Sequence, residues 1–407
     1  MFEQIRANQR RSAMLIAVMA ALLVFLGYAL GELAAPGGGW LGVPLAVILW
    51  LILTAVSYFQ GDRIFLAASG AKKIEKQDHP VLLNIVEEMT IAAGLAKPPE
   101  VYIIEDDAPN AFATGRKPET AAVAVTTGLL ETLTRDELQG VVAHEIAHVK
   151  NRDILYMTLV GIMMGAIVLL ADLGLRQIFF GVGRRRRGGG QEQVVILAVA
   201  LVLIVLAPIL ARLLYFACSR KREYLADASA AQFTRFPEGL ASALEKISGS
   251  QKKLRTATRA TAPMFIVNPL QAAGRRGSRL FSTHPPAEQR VRILRGMGGH
   301  AGLASYEQAF RQVTGRPVGV VPAGSLRAAE EVEARKPRPP ESDQEHLDWL
   351  RGVRDLHWRL LPFFLIACAC GTKLKIPEEY AGRTIDCPHC QRPHPVEGSP
   401  HAPHGRD

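Results

Sequence analysis

Four stretches of this 407-residue chain, 12–31, 40–59, 154–171 and 194–211, are long enough and free enough of charge to cross a hydrocarbon core, which takes about 20 apolar residues. They predict a mainly α membrane protein with four transmembrane helices. Composition agrees: 48% hydrophobic residues and a mean hydropathy of +0.11 are too apolar for an ordinary soluble chain and exclude disorder as the main theme. The first stretch is longer than a signal-peptide core, has no small-x-small cleavage site and is followed at once by a second span, so it reads as a retained anchor.

The turn at 35–39 holds no Lys or Arg, whereas Arg6, Arg10 and Arg11 precede the first hairpin and Arg63, Lys72, Lys73 and Lys76 follow it. The positive-inside bias therefore places the N-terminus and the chain after Gly61 in the cytoplasm, in a multi-pass protein of the cell (inner) membrane. The second hairpin breaks the rule, because its loop carries Arg176 and Arg184–Arg187. Either its strong apolar flanks override those charges, or 154–216 pairs shallowly and never fully crosses. Pro208 is expected to kink the fourth segment.

The soluble part begins with a helix over 80–95 that sets Val81, Leu82, Ile85, Val86 and Met89 on one stripe. Short β-rich runs at 101–104 and 121–126, joined by a loop at 108–115, make a small α+β unit. Thr134 is an N-cap before acids in a first turn, and Leu138, Val141, Val142 and Ile146 form the apolar face of the helix that follows.

That helix contains His144-Glu145-Ile146-Ala147-His148. Histidines at i and i+4 share a helical face, so both imidazoles can reach one Zn2+, with the intervening Glu145 as the base that takes a proton from the attacking water. A catalytic zinc needs a third protein ligand. Glu223 and Asp227, four apart, share a face of a helix that returns to the side of His144 if the second hairpin crosses or folds back as a pair. On an Arg-rich helix such a pair is ordinarily a solvated face; beside a zinc helix, Glu223 reads as the third ligand and Asp227 as the acceptor that orients a ligating histidine.

Together these pieces resemble the HtpX-type membrane metallopeptidases, relatives of the CAAX prenyl endopeptidases. The matching motifs stand in order: Pro109-Asn110-Ala111-Phe112-Ala113, the zinc helix with Asn151 and Asp153 beyond it, a two-span insertion, Arg222-Glu223-Tyr224-x-Ala226-Asp227, and Ser282-Thr283-His284-Pro285-Pro286 with Arg290. The resemblance covers roughly residues 1–300. It implies a gluzincin-type membrane zinc endopeptidase that degrades misfolded or damaged membrane proteins on the cytoplasmic side. It also makes Glu223 a zinc ligand, places Asn110 on the substrate-binding edge, and makes His284 a donor to the oxyanion; without it, His284 would read as a surface histidine in a turn.

The chain beyond 300 has no counterpart in a minimal member. Residues 301–365 are expected to be a flexible linker, on the strength of a charged, proline-bearing stretch at 320–345. Four of the five cysteines, Cys368, Cys370, Cys387 and Cys390, then form a Cys-x-Cys and a Cys-x-x-Cys with the spacing of a zinc ribbon over 366–396, followed by a disordered tail, 397–407. So few and so clustered, they indicate a reducing compartment and a structural metal. His394, His401 and His404 read as incidental, and Cys218 as a small buried hydrophobe.

The domain order expected is thus a transmembrane hairpin (1–60), the first part of the peptidase (61–153), the second hairpin (154–216), the second part (217–300), linker, ribbon and tail. The rival reading is a catalytically silent membrane adaptor that presents the ribbon to a protein or nucleic-acid partner. Retention of both Glu145 and Glu223 weighs against it. The net charge of +10 is explained by anionic lipid under the cytoplasmic face, so membrane lipid and polypeptide substrates are the expected partners, a protein on the ribbon a further one, and nucleic acid is not expected.

Overall fold

In the computed structural model the described residues are 2–35, 37–181, 191–257, 264–268, 284–327, 332–339, 342–360 and 363–397. The Arg184–Arg187 loop, Ser282, Thr283, His401, His404 and the Cys218 side chain lie outside the description. The chain divides into two units, one of 1–73 with 85–338 and one of 74–84 with 339–407.

The first unit opens with two long helices, α1 (Phe2–Ala34) and α2 (Gly39–Ala68). Among the described residues, these two supply the segments that are long and apolar enough to cross a membrane, 16–34 and 39–68. Small residues set their approach: a Cβ on Gly42 would overlap the Gly27 carbonyl, so the helices touch through backbone, as membrane helices do where glycines face each other. Glu32 accepts from Gly37 N (3.1 Å) in the turn and from Gly39 N (3.2 Å), an amide that the start of α2 leaves free. Two more long helices follow later, α6 (Asp153–Gly181) and α7 (Gln191–Thr234). Met19, Leu23 and Leu26 of α1 bury against Met163, Ile167 and Ala171 of α6 and Ile204, Ala207 and Ala211 of α7. Large apolar side chains such as Trp40, Leu41, Leu45, Leu169 and Val202 stay more than half exposed. Helix α7 continues through Pro208 for 44 residues, so the apolar segment and the stretch bearing Glu223 and Asp227 belong to one helix.

Between α2 and α6 lies the α+β portion. Strands β1 (Lys72–Lys73), β2 (Glu100–Ile104), β3 (Ala111–Thr114) and β4 (Ala122–Thr126) form a sheet ordered β1-β2-β4-β3, with β2 parallel to β4 and the other two pairs antiparallel. The run read as a loop at 108–115 therefore contains the edge strand β3. All four of its residues are buried, and its Phe112 stacks edge-on against Phe265 at 5.2 Å. Helix α3 (Pro80–Ala93) precedes the sheet, and α4 (Thr127–Thr132) leads into α5 (Arg135–Lys150). A capping box starts α5, Thr134 N donating to Glu137 at 2.8 Å, and the helix is buried from Glu137 to Val149. Helix α8 (Pro237–Gly249) crosses it closely: a Cβ on Gly140 would lie 2.6 Å from Leu240 N.

Helices α9 (Ala287–Arg295), α10 (Leu303–Thr314) and α11 (Ala323–Arg327) complete the described helices of this unit. The stretch expected to be a flexible linker, 301–365, thus carries ordered helices: α10 buries Tyr306, Ala309 and Phe310, spaced i, i+3, i+4, which the charged run at 320–345 obscured. In the second unit α12 (Asp343–Leu360) is followed by two hairpins, β5 (Phe363–Ala367) with β6 (Lys373–Pro377) and β7 (Thr384–Asp386) with β8 (Pro393–Pro395). The His79 ring meets Trp349 of α12 at 5.2 Å, so residues 74–84 belong to this unit rather than to the peptidase sheet.

Candidate active site

The burial of α5 on all sides brings its polar residues inward. His144 and His148 place their Nε2 atoms 3.2 Å apart. From α7, the Glu223 carboxylate faces both, with Oε2 3.5 Å from His144 Nε2 and Oε1 3.5 Å from His148 Nε2. Three donors each about 2.0–2.1 Å from a tetrahedral zinc would stand about 3.3 Å from one another. The observed separations match that spacing, and the residues fit the ion.

The outer nitrogens decide the tautomers. His144 Nδ1 lies 2.9 Å from Asp227 Oδ1, and His148 Nδ1 lies 3.3 Å from Asp153 Oδ2 at the start of α6. With the outer nitrogens donating to those carboxylates, both Nε2 atoms are turned to one place, where their lone pairs could serve a cation. Glu223 Oε2, fully buried, lies 3.5 Å from both His144 Nε2 and His284 Nε2 and 3.8 Å from Arg290 NH1, at the long limit of a hydrogen bond or beyond it.

Each carboxylate behind a histidine is itself held by a buried arginine. Arg290 of α9 donates to Asp227 through Nε (2.8 Å) and NH2 (2.6 Å), and Arg222 Nε lies 3.6 Å from Asp153 Oδ1. Asp227 was legible from its spacing. The matching roles of Asp153, Arg222 and Arg290 were missed, although Asp153 lies one helical turn and one residue past His148 and Arg222 directly precedes Glu223.

The electrostatics suit a cation. Burial pulls the His144 pKa down, but the Asp227 and Glu223 carboxylates beside its ring nitrogens outweigh it and lift the value to about 9. Burial would raise Glu223, yet the surrounding imidazoles of His284, His144 and His148 hold it well below the usual carboxylate range. Burial pushes the Glu145 carboxyl up, with the two histidines pulling against it. His284, just before α9, is buried with Nε2 3.5 Å from Glu223 Oε2, and burial drives its pKa down to about 4.

Asn110 precedes β3, and its amide faces the chain itself. Nδ2 donates to Val267 O (2.9 Å) and Oδ1 accepts from Ala111 N (3.1 Å), while Ile266 N donates to Ala111 O (2.9 Å). The edge expected to receive substrate thus carries residues 264–268 in this conformation.

In the second unit the four cysteine Sγ atoms converge, Cys368 to Cys390 at 3.4 Å and Cys370 to Cys387 at 3.7 Å, on the ends of the two hairpins. These separations are far beyond a disulfide bond of about 2.05 Å and near the roughly 3.8 Å edge of a tetrahedron of thiolates around zinc.

The profile described as "Peptidase family M48" matches residues 76–298, which contain every residue of the first cluster. The chain belongs to that family. It is 44% identical over 297 residues to "Protease HtpX homolog" of Dictyoglomus turgidum, covering 73% of this chain and 95% of the relative. The protein of the same description from Dictyoglomus thermophilum is 45% identical over 306 residues, 75% of this chain and 98% of the relative. Among solved structures, "Crystal Structure of S. mikatae Ste24p" is matched at 16% identity and a TM-score of 0.40, over 72% of this chain and 67% of that one. The peptidase is a zinc-dependent membrane protease, and the resemblance read from its motifs holds. Nearly whole relatives are matched by about three quarters of this chain, so the remaining quarter is an addition to their plan.

Proposed function

We propose that His144, His148 and Glu223 hold the catalytic zinc and that Glu145 moves the proton in peptide-bond hydrolysis. The observation that carries this is the convergence of the two Nε2 atoms, 3.2 Å apart, with the Glu223 carboxylate, whose two oxygens stand 3.5 Å from one imidazole each; three such residues leave a coordination position for substrate. When bound, the zinc polarises the scissile carbonyl and acidifies the attacking water. Glu145, on the same helix and raised by burial, accepts that water's proton and returns it to the leaving amine. Asp227 with Arg290, and Asp153 with Arg222, fix the two imidazoles. His284, neutral at physiological pH, donates its N–H to the oxygen that gains charge, and Asn110 borders the cleft through the segment it ties to β3.

All four long helices are read as spans. The outward apolar side chains of α6 and α7, Leu169, Leu173 and Val202 among them, support crossing rather than burial against protein, and the charge bias of the first hairpin supports a cytoplasmic active site in the inner membrane. The substrates are then misfolded or damaged membrane proteins. The cysteine cluster is read as a zinc ribbon with a structural ion of its own, a place for a protein partner. The domain order follows the sequence reading, with the peptidase unit extended to about residue 338.

The test is hydrolysis of an unstructured fluorogenic peptide by the full chain in detergent. Chelation should stop it and added zinc restore it; turnover that persists after complete zinc removal would end this reading.

A further inference from the structure

Arg335 lies beyond residue 298, where the family match stops, yet its side chain sits between the two helices that supply all three metal ligands. Towards α5 it grips the first turn: NH2 donates to Asp136 Oδ1 at 2.7 Å and to Gln139 Oε1 at 3.0 Å, and NH1 reaches Asp136 Oδ2 at 3.4 Å. Towards α7 it grips the last turn. Nε donates to Thr234 O at 3.2 Å, and the guanidinium lies 4.6 Å over the Phe236 ring just past the helix end. Backbone holds the reach in place, with Arg335 N donating to Arg235 O (2.7 Å) and Ala334 N to Gly299 O (2.9 Å). Arg338 adds a second cation on Asp136 at 3.4 Å.

The chemistry suits both ends. The first turn of a helix favours an acid and its last turn leaves carbonyls without partners and favours a cation, so one planar fork satisfies α5 through Asp136 and α7 through Thr234. We infer that Arg335 is a positioning residue of the peptidase, a staple that fixes α5 against α7 and so sets the distance between the His144–His148 pair and Glu223. It touches neither metal ligand nor substrate. It acts through helix ends that stand, at 1.5 Å per residue, about 12 Å from His144 and about 16 Å from Glu223. Residues 332–338, which lie beyond the family match, thereby take part in shaping the catalytic centre. This rests on the assignment of the three ligands above.

The experiment compares full-length wild type with Arg335→Ala, Arg335→Lys and Asp136→Asn in detergent. It measures zinc content against graded chelator, kcat and KM for a peptide, and the melting temperature. Residues that hydrogen-bond a metal ligand directly typically change metal affinity by about 10- to 100-fold; for this more distant staple, Arg335→Ala should release the zinc whose loss tracks hydrolysis roughly 3- to 10-fold more readily. kcat should fall by a similar factor with KM unchanged, and Arg335→Lys, which keeps the charge without the fork, should recover only part. Wild-type zinc retention and kcat in Arg335→Ala, whatever its melting temperature, would reduce Arg335 to a plain stabilising contact and overturn the inference. Should Arg335→Ala fail to fold, Arg335→Lys and Asp136→Asn carry the test by the same criteria. A wild-type protein whose hydrolysis tracks no zinc would instead bring down the ligand assignment itself.

Discussion

His144, His148 and Glu223 are buried side chains on two helices far apart in sequence, whereas Cys368, Cys370, Cys387 and Cys390 stand on neighbouring hairpin ends and two of them are exposed. The first set exists only after α5 and α7 have packed, and each histidine is then locked by a carboxylate and an arginine. The second set is packed among a few apolar residues, Phe364, Leu374, Ile376 and Val396; on the zinc-ribbon reading proposed above, a metal would supply what so small a core lacks. On that reading, one site is made by the fold and the other makes the fold. Three donors leave a coordination position for chemistry, and four thiolates leave none.

The comparison breaks first at Glu145. Glu145→Gln keeps the three ligands and removes only the proton carrier, so zinc should stay bound while peptide hydrolysis falls by about 10²–10⁴-fold, as read by turnover on zinc-loaded protein. Near wild-type turnover would show that another group carries the proton. Next come the orienting carboxylates. Asp227→Asn and Asp153→Asn should each weaken catalytic zinc by about 10- to 100-fold in chelator competition, and a null result at Asp153 alone would mean that the Arg222 arm is scaffolding.

A smaller effect is expected at the thiolate site. Cys387→Ser/Cys390→Ser should melt the second unit, seen as rapid proteolysis within 363–397, while an unstructured peptide is still hydrolysed within about twofold of wild type. Loss of hydrolysis there would couple the two sites.

The smallest expected effect concerns acid. His79 in the second unit is buried against Trp349, and burial pushes its pKa down to about 4. The unfolded chain, with an ordinary histidine pKa of about 6.5, therefore binds the proton more readily than the folded one. The neutral ring's stabilisation is complete above about pH 6.5 and is lost as pH falls to about 4, amounting to roughly 3 kcal/mol. His79 Nδ1 also accepts from Leu82 N at 3.2 Å, so His79→Asn should keep a helix cap and flatten this part of the pH profile. An unchanged profile would place the acid sensitivity elsewhere.

Much of the catalytic half was legible because it is local. The histidines lie one turn apart, Thr134 caps their helix, and Glu223 and Asp227 share a face. Its supports were not, because Arg222 meets Asp153 and Arg290 meets Asp227 only in three dimensions, and a charged residue in sequence reads as solvated until burial is known. The strand β3 looked like a loop because Ala-Phe-Ala-Thr is too short to show alternation, and its edge is set by pairing with β4. Residues 301–338 looked like a linker because charge and proline at 320–345 hid the stripe of α10, and nothing in the sequence announces that Arg335 reaches back between α5 and α7.

The most direct measurement is the number of zinc ions per chain, determined by elemental analysis on full-length wild type and Glu223→Ala, with hydrolysis assayed on the same samples. Wild type should carry two and turn over. Glu223→Ala should carry one, keep its second unit intact and hydrolyse nothing. A Glu223→Ala protein that still holds both ions, or that still cleaves peptide, would contradict the assignment of the buried cluster as the catalytic centre.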